Sequence, residues 1–329
     1  MASFLVRHRK SFALGTLVLQ NSFLVLLMRN TLTPTSGRRY LASTAVCMME
    51  VIKLLVCIGV VYMETGSIAG CARKLRFEVL YKPYEMAKLA IPSVLYTVQN
   101  NLLYMALANL DAATYSVCYQ TKILSTALFS VILLKRKLSY LKWFALLLLT
   151  LGVGLAETAS HSAPAPGGTF EGQSQIRGFL GVMAAACTSG FSGVYFEMIL
   201  KGKKTSLWIR NIQMGIPSIL IAFSKVLAVD WVDVRQDGFF YGYTMSVVGV
   251  IFLQAAGGLV VAVVVKYTDN IRKSFAAAVS IITSCLLSSL LFEFRPNDRF
   301  VVGLLFVCFS IFLYSQPSRH QEVIPLFER

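Results

Sequence analysis

The sequence predicts an all-α membrane protein of ten transmembrane helices, arranged as an inverted repeat of five plus five. Three observations carry this. Of the 329 residues 56% are hydrophobic and only 14% charged, with a mean hydropathy of +0.65, where a soluble domain carries nearer a quarter charged residues. The charges fall in short clusters between apolar runs of roughly the 20 residues that cross a hydrocarbon core. The longest polar interruption, Thr158 to Arg177, leaves five such runs on either side, and an odd number of spans per half sets the halves in opposite orientations. No identity between the halves is visible, so the repeat follows from counting. Its boundaries are 1–157 for the first repeat, 158–177 for a lumenal loop, and 178–329 for the second repeat with its tail.

The spans fall near 11–28, 41–62, 86–108, 112–134, 140–157, 178–200, 207–229, 240–266, 271–293 and 300–316. The first follows a basic stretch (Arg7, His8, Arg9, Lys10) without a small-x-small cleavage site, which reads as an uncleaved signal-anchor. The second contains Glu50 and Lys53, three residues apart on one helical face and able to pair; a structural pair and a role in transport both remain open. An ionisable group deep in a span costs about 2.5–3.5 kcal/mol on insertion scales, so it usually meets a cavity or a partner.

In the third span Tyr96, Gln99 and Asn100 share a face. Their amides suit the edge of a pyrimidine, and equally suit hydrogen bonds between helices. The fourth span places Tyr115, Tyr119, Lys122 and Thr126 at i, i+4, i+7 and i+11, one face of a continuous helix. Lys122 is too central to snorkel to either interface. Such a face suits a wet pocket for an anionic, ring-bearing ligand; the alternative is a lysine neutralised by an acid such as Glu50, with the tyrosines as packing.

The sixth span has a small-residue face of Ala185, Ser189, Ser192 and Gly193, with Gly190 beside it. It serves close helix packing or close approach to a ligand. Between the eighth and ninth spans, Lys266, Arg272 and Lys273 surround a helix start that Asp269 or Asn270 can cap. A helix N-terminus among cations suits phosphate oxygens; ordinary positive-inside charge is the alternative.

Orientation comes from the loops. With the N-terminus cytosolic, the cytosolic segments hold 21 Lys and Arg residues and the opposite loops 7, a bias that places both termini in the cytosol. This also accounts for the net charge of +15 without nucleic acid, for which no binding module is present. The seven cysteines form no C-x-x-C pair, and six lie in apolar runs; they read as small buried residues, with no disulfide framework or metal site. The three histidines lie in terminal or loop segments and no D-x-D occurs, which sets aside a membrane-embedded glycosyltransferase.

Several stretches resemble the nucleotide-sugar transporter family, in its UDP-N-acetylglucosamine, UDP-galactose and CMP-sialic acid branch. They are Y-T-V-Q-N-N-L-L-Y from Tyr96, Y-Q-x-K-I-L-x-T-A-L-F-S-V from Tyr119, G-F-S-G-V-Y-F-E from Gly190, S-L-W-I-R-N-I-Q from Ser206 and V-V-K-Y-T-D-N-I-x-K from Val264, with E-V-I-K at Glu50. The resemblance implies a drug/metabolite transporter fold. It also implies antiport of a UDP-sugar (UDP-N-acetylglucosamine and/or UDP-galactose) into the Golgi lumen against UMP, without cofactor, metal or catalysis.

By the same resemblance Tyr96 and Asn100 contact the base and Tyr115 stacks nearby, beside Tyr119. Lys122 and Lys266 engage phosphate, while Ser189, Gly190 and Asn211 hold the nucleotide. Lys273, Glu50 and Lys53 are further candidates for phosphate binding or gating. The implied partners are nucleotide sugar, nucleoside monophosphate and membrane lipid, with a second copy of the chain or glycosyltransferases as protein partners. Ser116, Thr121, Arg272 and Ser274 depart from the family pattern. Gly215 stands where the CMP-sialic acid branch has tyrosine, which favours a UDP-sugar. The alternatives are a CMP-sialic acid/CMP antiporter, or a non-transporting scaffold of glycosylation enzymes; the endoplasmic reticulum is the alternative membrane.

Overall fold

The computed structural model describes residues 9–32, 40–110, 115, 118–160, 175–202, 205–292 and 298–316, and among these there is no β-strand. The helices are α1 (Arg9–Leu32), α2 (Ala42–Thr65), α3 (Ile68–Leu75), α4 (Pro83–Asn109), α5 (Lys122–Leu134), α6 (Tyr140–Ser160), α7 (Gln175–Gly202), α8 (Leu207–Val229), α9 (Trp231–Asp237), α10 (Met245–Tyr267), α11 (Asn270–Phe292) and α12 (Asp298–Ser315). Helix falls within all ten apolar windows. Among the described residues five helices are long and apolar enough to cross a membrane, namely α2, α7, α8, α10 and α12. The lumenal loop expected at 158–177 lies largely outside the described residues.

Local chemistry sets several ends. Gly66, at φ +67°, closes α2 with its N–H on the Tyr62 carbonyl, a left-handed cap that glycine adopts without steric cost. Ser67 then opens α3, its hydroxyl accepting from the Gly70 N–H at 3.0 Å, as an N-cap does. Pro83 begins α4, where its missing N–H is not needed.

The chain forms two discontinuous compact units, Met1–Val94 with Lys203–Thr268, and Leu95–Gly202 with Asp269–Arg329. In the first, α1 packs on α10, and α2 on both α8 and α10. Gly257 and Gly258 of α10 make this fit. A Cβ on Gly257 would stand 2.7 Å from the Gln20 amide carbon, and one on Gly258 would stand 3.2 Å from the Lys53 stem. Gln20 donates to the Leu253 carbonyl at 3.0 Å. In lipid, where helices gain no hydrophobic drive to associate, such small residues let backbones and polar side chains meet.

Arg210, 2% exposed, is the largest fully buried side chain of the described residues. In the sequence it is one of the 21 basic residues counted in the cytosolic segments. Its Nη1 donates to Glu85 Oε2 at 2.9 Å and Gln213 Oε1 at 3.0 Å, while Gln213 donates to the Glu78 carbonyl at 2.7 Å. These groups line a cavity of about 280 Å³ with Tyr81, Lys82, Tyr84 and Thr205. Removing one partner of a buried ion pair strands the other, at about 3–5 kcal/mol. Arg210→Met is therefore expected to cause a large drop in the unfolding temperature of the purified protein. Lysine should restore only part of it, since it lacks the planar fork; an unchanged melting temperature in the methionine variant would refute the pair's role.

In the second unit, α6 and α12 approach through glycines. A Cβ on Gly152 would lie 2.9 Å from the Gly303 carbonyl oxygen, and one on Gly303 would lie 2.8 Å from the Ala156 nitrogen. Around this contact Leu146, Leu149, Val153, Ile271, Phe275, Phe300 and Val307 form one core. Helices α5 and α7 are as close. A Cβ on Gly190 would stand 2.7 Å from both the Ser125 carbonyl carbon and the Thr126 nitrogen.

Candidate functional site

The continuous helix expected over the fourth span is broken. Tyr115, Cys118 and Tyr119 are helical, Gln120 and Thr121 form a turn, and α5 starts at Lys122. The Thr121 side chain supplies the reason. Its Oγ1 donates to the Cys118 carbonyl at 2.6 Å, and its N–H reaches the same oxygen at 3.1 Å. That is the acceptor the Lys122 N–H would use in an unbroken helix, and threonine side chains compete with the ladder in this way. The break puts a helix N-terminus, with its partial positive charge, beside Lys122. Interrupted spans present anion sites in transporters by the same device.

The second unit gathers most of the residues singled out in the sequence. Tyr115 and Tyr119 stack with ring centroids 6.1 Å apart and planes 17° from parallel. The Lys122 ammonium sits 4.1 Å from the Tyr119 ring centre, within cation–π range. Gln99 donates from Nε2 to the Tyr119 hydroxyl at 2.9 Å, and Ser189 is a second hydrogen-bonding partner of that hydroxyl. Tyr96 is 61% exposed, and its phenol is close enough to Tyr119 to interact with it electrostatically. The Asn100 side chain lies outside the described residues. Thr126 turns to its own helix, donating to the Lys122 carbonyl at 2.8 Å.

Lys273, in the first turn of α11, joins this group. Its ammonium and that of Lys122 repel one another, and Glu197 attracts the Lys273 ammonium. Two cations held near one another beside an aromatic stack and a helix start are arranged to take a multiply charged anion. Asp269 caps α11, its Oδ1 accepting the Arg272 N–H at 2.7 Å.

Gly190 faces the α5 backbone, so its lack of a Cβ is used in helix contact. The other residues belong to the first unit. Glu50 and Lys53 pair with each other at 2.8 and 3.0 Å, as their spacing on one helical face allows. Lys266 is half-buried in the last turn of α10. Asn211, 5% exposed, donates from Nδ2 to the Leu207 carbonyl at 2.9 Å, while its buried Oδ1 has no hydrogen-bond partner. Of the cysteines, Cys47, Cys57 and Cys71 are buried as expected and Cys187 and Cys308 are exposed, all of them free.

Gln99 takes one of the two roles the sequence left open for it, a hydrogen bond between spans that orients Tyr119. One residue escaped the sequence reading. Glu197 received no role although it is an acid inside the window 178–200, which insertion cost alone should have flagged.

The family model for nucleotide-sugar transporters matches residues 6–315. The UDP-N-acetylglucosamine transporter of Homo sapiens is 47% identical over 308 residues, covering 93% of this chain and 94% of the relative, and that of Canis lupus familiaris matches to the same extent. The UDP-galactose translocator of Homo sapiens is 44% identical over 326 residues, covering 98% of this chain and 81% of the relative. A crystal structure at 14% identity aligns over 93% of this chain and 96% of that one with a TM-score of 0.65, a likeness of fold.

Proposed function

Because this chain belongs to the nucleotide-sugar transporter family, we propose that it is an antiporter carrying UDP-N-acetylglucosamine and/or UDP-galactose from the cytosol into the Golgi lumen in exchange for UMP. The observation that carries the chemistry is the pairing of Lys122 and Lys273 beside the Tyr115–Tyr119 stack. The two ammoniums and the start of α5 take the phosphate charge, and the tyrosines take ring surface. Lys273 thus moves from a secondary candidate to a principal one, while Lys266 and Asn211 keep the contacts the family resemblance gives them. Asn211 Oδ1 offers an acceptor suited to a base N–H donor.

Ten spans with cytosolic termini, related as two inverted repeats of 1–157 and 178–329, complete the reading. The packing supports it. The second and seventh spans, α2 and α8, lie together, as do the fifth and tenth, α6 and α12. Each of these pairs joins spans at the same place in the two halves. The contact of α1 with α10 likewise has its counterpart in α7 with α4, where a Cβ on Gly181 would lie 2.7 Å from the Met105 methyl.

A CMP-sialic acid substrate is the second reading. Gly215 weighs against it, since the CMP-sialic acid branch has a tyrosine at that position; a Cβ there would lie 3.8 Å from the Leu54 side chain. Titrating the purified protein with UMP, CMP and GMP while following its unfolding temperature separates the readings. A ligand that binds only the folded state adds about 2.7 kcal/mol of stability at a hundredfold excess over Kd. UMP is expected to give the largest rise. A larger rise with CMP would transfer the assignment, and no rise with any nucleotide would favour the scaffold reading.

A further inference from the structure

We propose that Glu197 is a positioning residue for the phosphate subsite: its one buried carboxylate ties together the helices that carry Ser189, Lys122 and Lys273. This rests on the antiporter reading above. Glu197 is 0% exposed, on the same helix, α7, as Ser189. Its Oε2 accepts the backbone N–H of Asn270, the first residue of α11, at 2.8 Å. Its Oε1 accepts from the Lys201 ammonium at 2.7 Å and from the guanidinium of Arg136, two residues beyond the end of α5. Arg136 also reaches Asp269 at 3.8 Å, the residue that caps α11. One turn earlier on α7, Gly193 lets the Asn270 side chain press in; a Cβ there would stand 3.0 Å from the Asn270 amide carbon.

The start of α11 is therefore fixed to α7 over two successive turns and braced from α5 through Arg136. Lys273 lies in that first turn and Lys122 begins α5. Two like charges drift apart unless their backbones are held, and a carboxylate at a helix N-terminus is favoured by the dipole. One group thus sets the separation of the two cations without itself touching substrate.

The test uses the full chain in proteoliposomes, measuring KM and maximal rate for UDP-N-acetylglucosamine against internal UMP, with UMP affinity from thermal-shift titration. Glu197→Gln keeps an acceptor for Asn270 but loses its hold on Arg136 and Lys201. It is expected to raise KM and the UMP Kd about tenfold, with maximal rate changed by no more than about threefold. In a Lys273→Met background the same change should add no further loss of UMP affinity, because coupled residues are not additive. Arg136→Gln cuts only the α5 brace, and it carries the same expectation if Glu197→Gln does not yield folded protein. An unchanged UMP Kd, or an equal loss with and without Lys273, would overturn the proposal. Failure of the wild-type protein to bind UMP would instead count against the antiporter reading.

Discussion

Lys122→Ala is expected to lower nucleotide-sugar exchange by roughly two to three orders of magnitude, while folded protein accumulates in the membrane at wild-type levels. The loss follows from removing one partner of a desolvated charge pair, about 2–5 kcal/mol. Stability should not fall, because the cost of placing the lysine exceeds what its ring contact returns. A central lysine costs about 2.5–3.5 kcal/mol to insert, and its contact with the Tyr119 ring, 4.1 Å away, returns about 0.5–2 kcal/mol. Reconstituted exchange and melting temperature, read on the same preparation, check both halves. Wild-type exchange would remove Lys122 from the site, and loss of the protein itself would make its role structural.

The second large effect is expected at Gly190. Valine there places a Cβ 2.7 Å from the Ser125 carbonyl carbon and the Thr126 nitrogen. Both are backbone atoms of α5, which cannot rotate away as a side chain would. Overpacking typically costs about 1–3 kcal/mol and sometimes more; the upper end applies because a whole helix must move. Gly190→Val should leave little monodisperse protein after extraction. Gly59→Val, where among the described residues no atom beyond its own stretch of helix lies within 4 Å of the added Cβ, should behave as wild type. If Gly190→Val extracts normally but no longer binds UMP, the glycine serves the ligand and the packing account fails.

The parts of the site legible in the sequence were those set by helical period. Tyr115, Tyr119 and Lys122 were placed on one face by spacing, and the structure stacks the rings and sets the ammonium over one of them. The break at Gln120–Thr121 was not legible, because it depends on Thr121 taking the Cys118 carbonyl, a competition that hydrophobic period does not encode. Glu197 was visible as an acid in an apolar window, but its partners Arg136 and Asn270 lie 61 and 73 residues away. Arg210 was hidden in the same way by the 125 residues that separate it from Glu85. Lys266 and Lys273 occupy one basic connection, and only the folded chain places Lys273 near Lys122.

The discontinuity of the two compact units bears on how the protein is made. The ribosome delivers α1 and α2 long before α8 and α10, their packing partners. Between those moments, Gln20, Glu50 and Lys53 enter lipid without the helices that later cover them. Neither unit has its full sequence until the nascent chain passes Thr268 and then the final helix. A stop codon after α7 therefore yields part of each unit and completes neither.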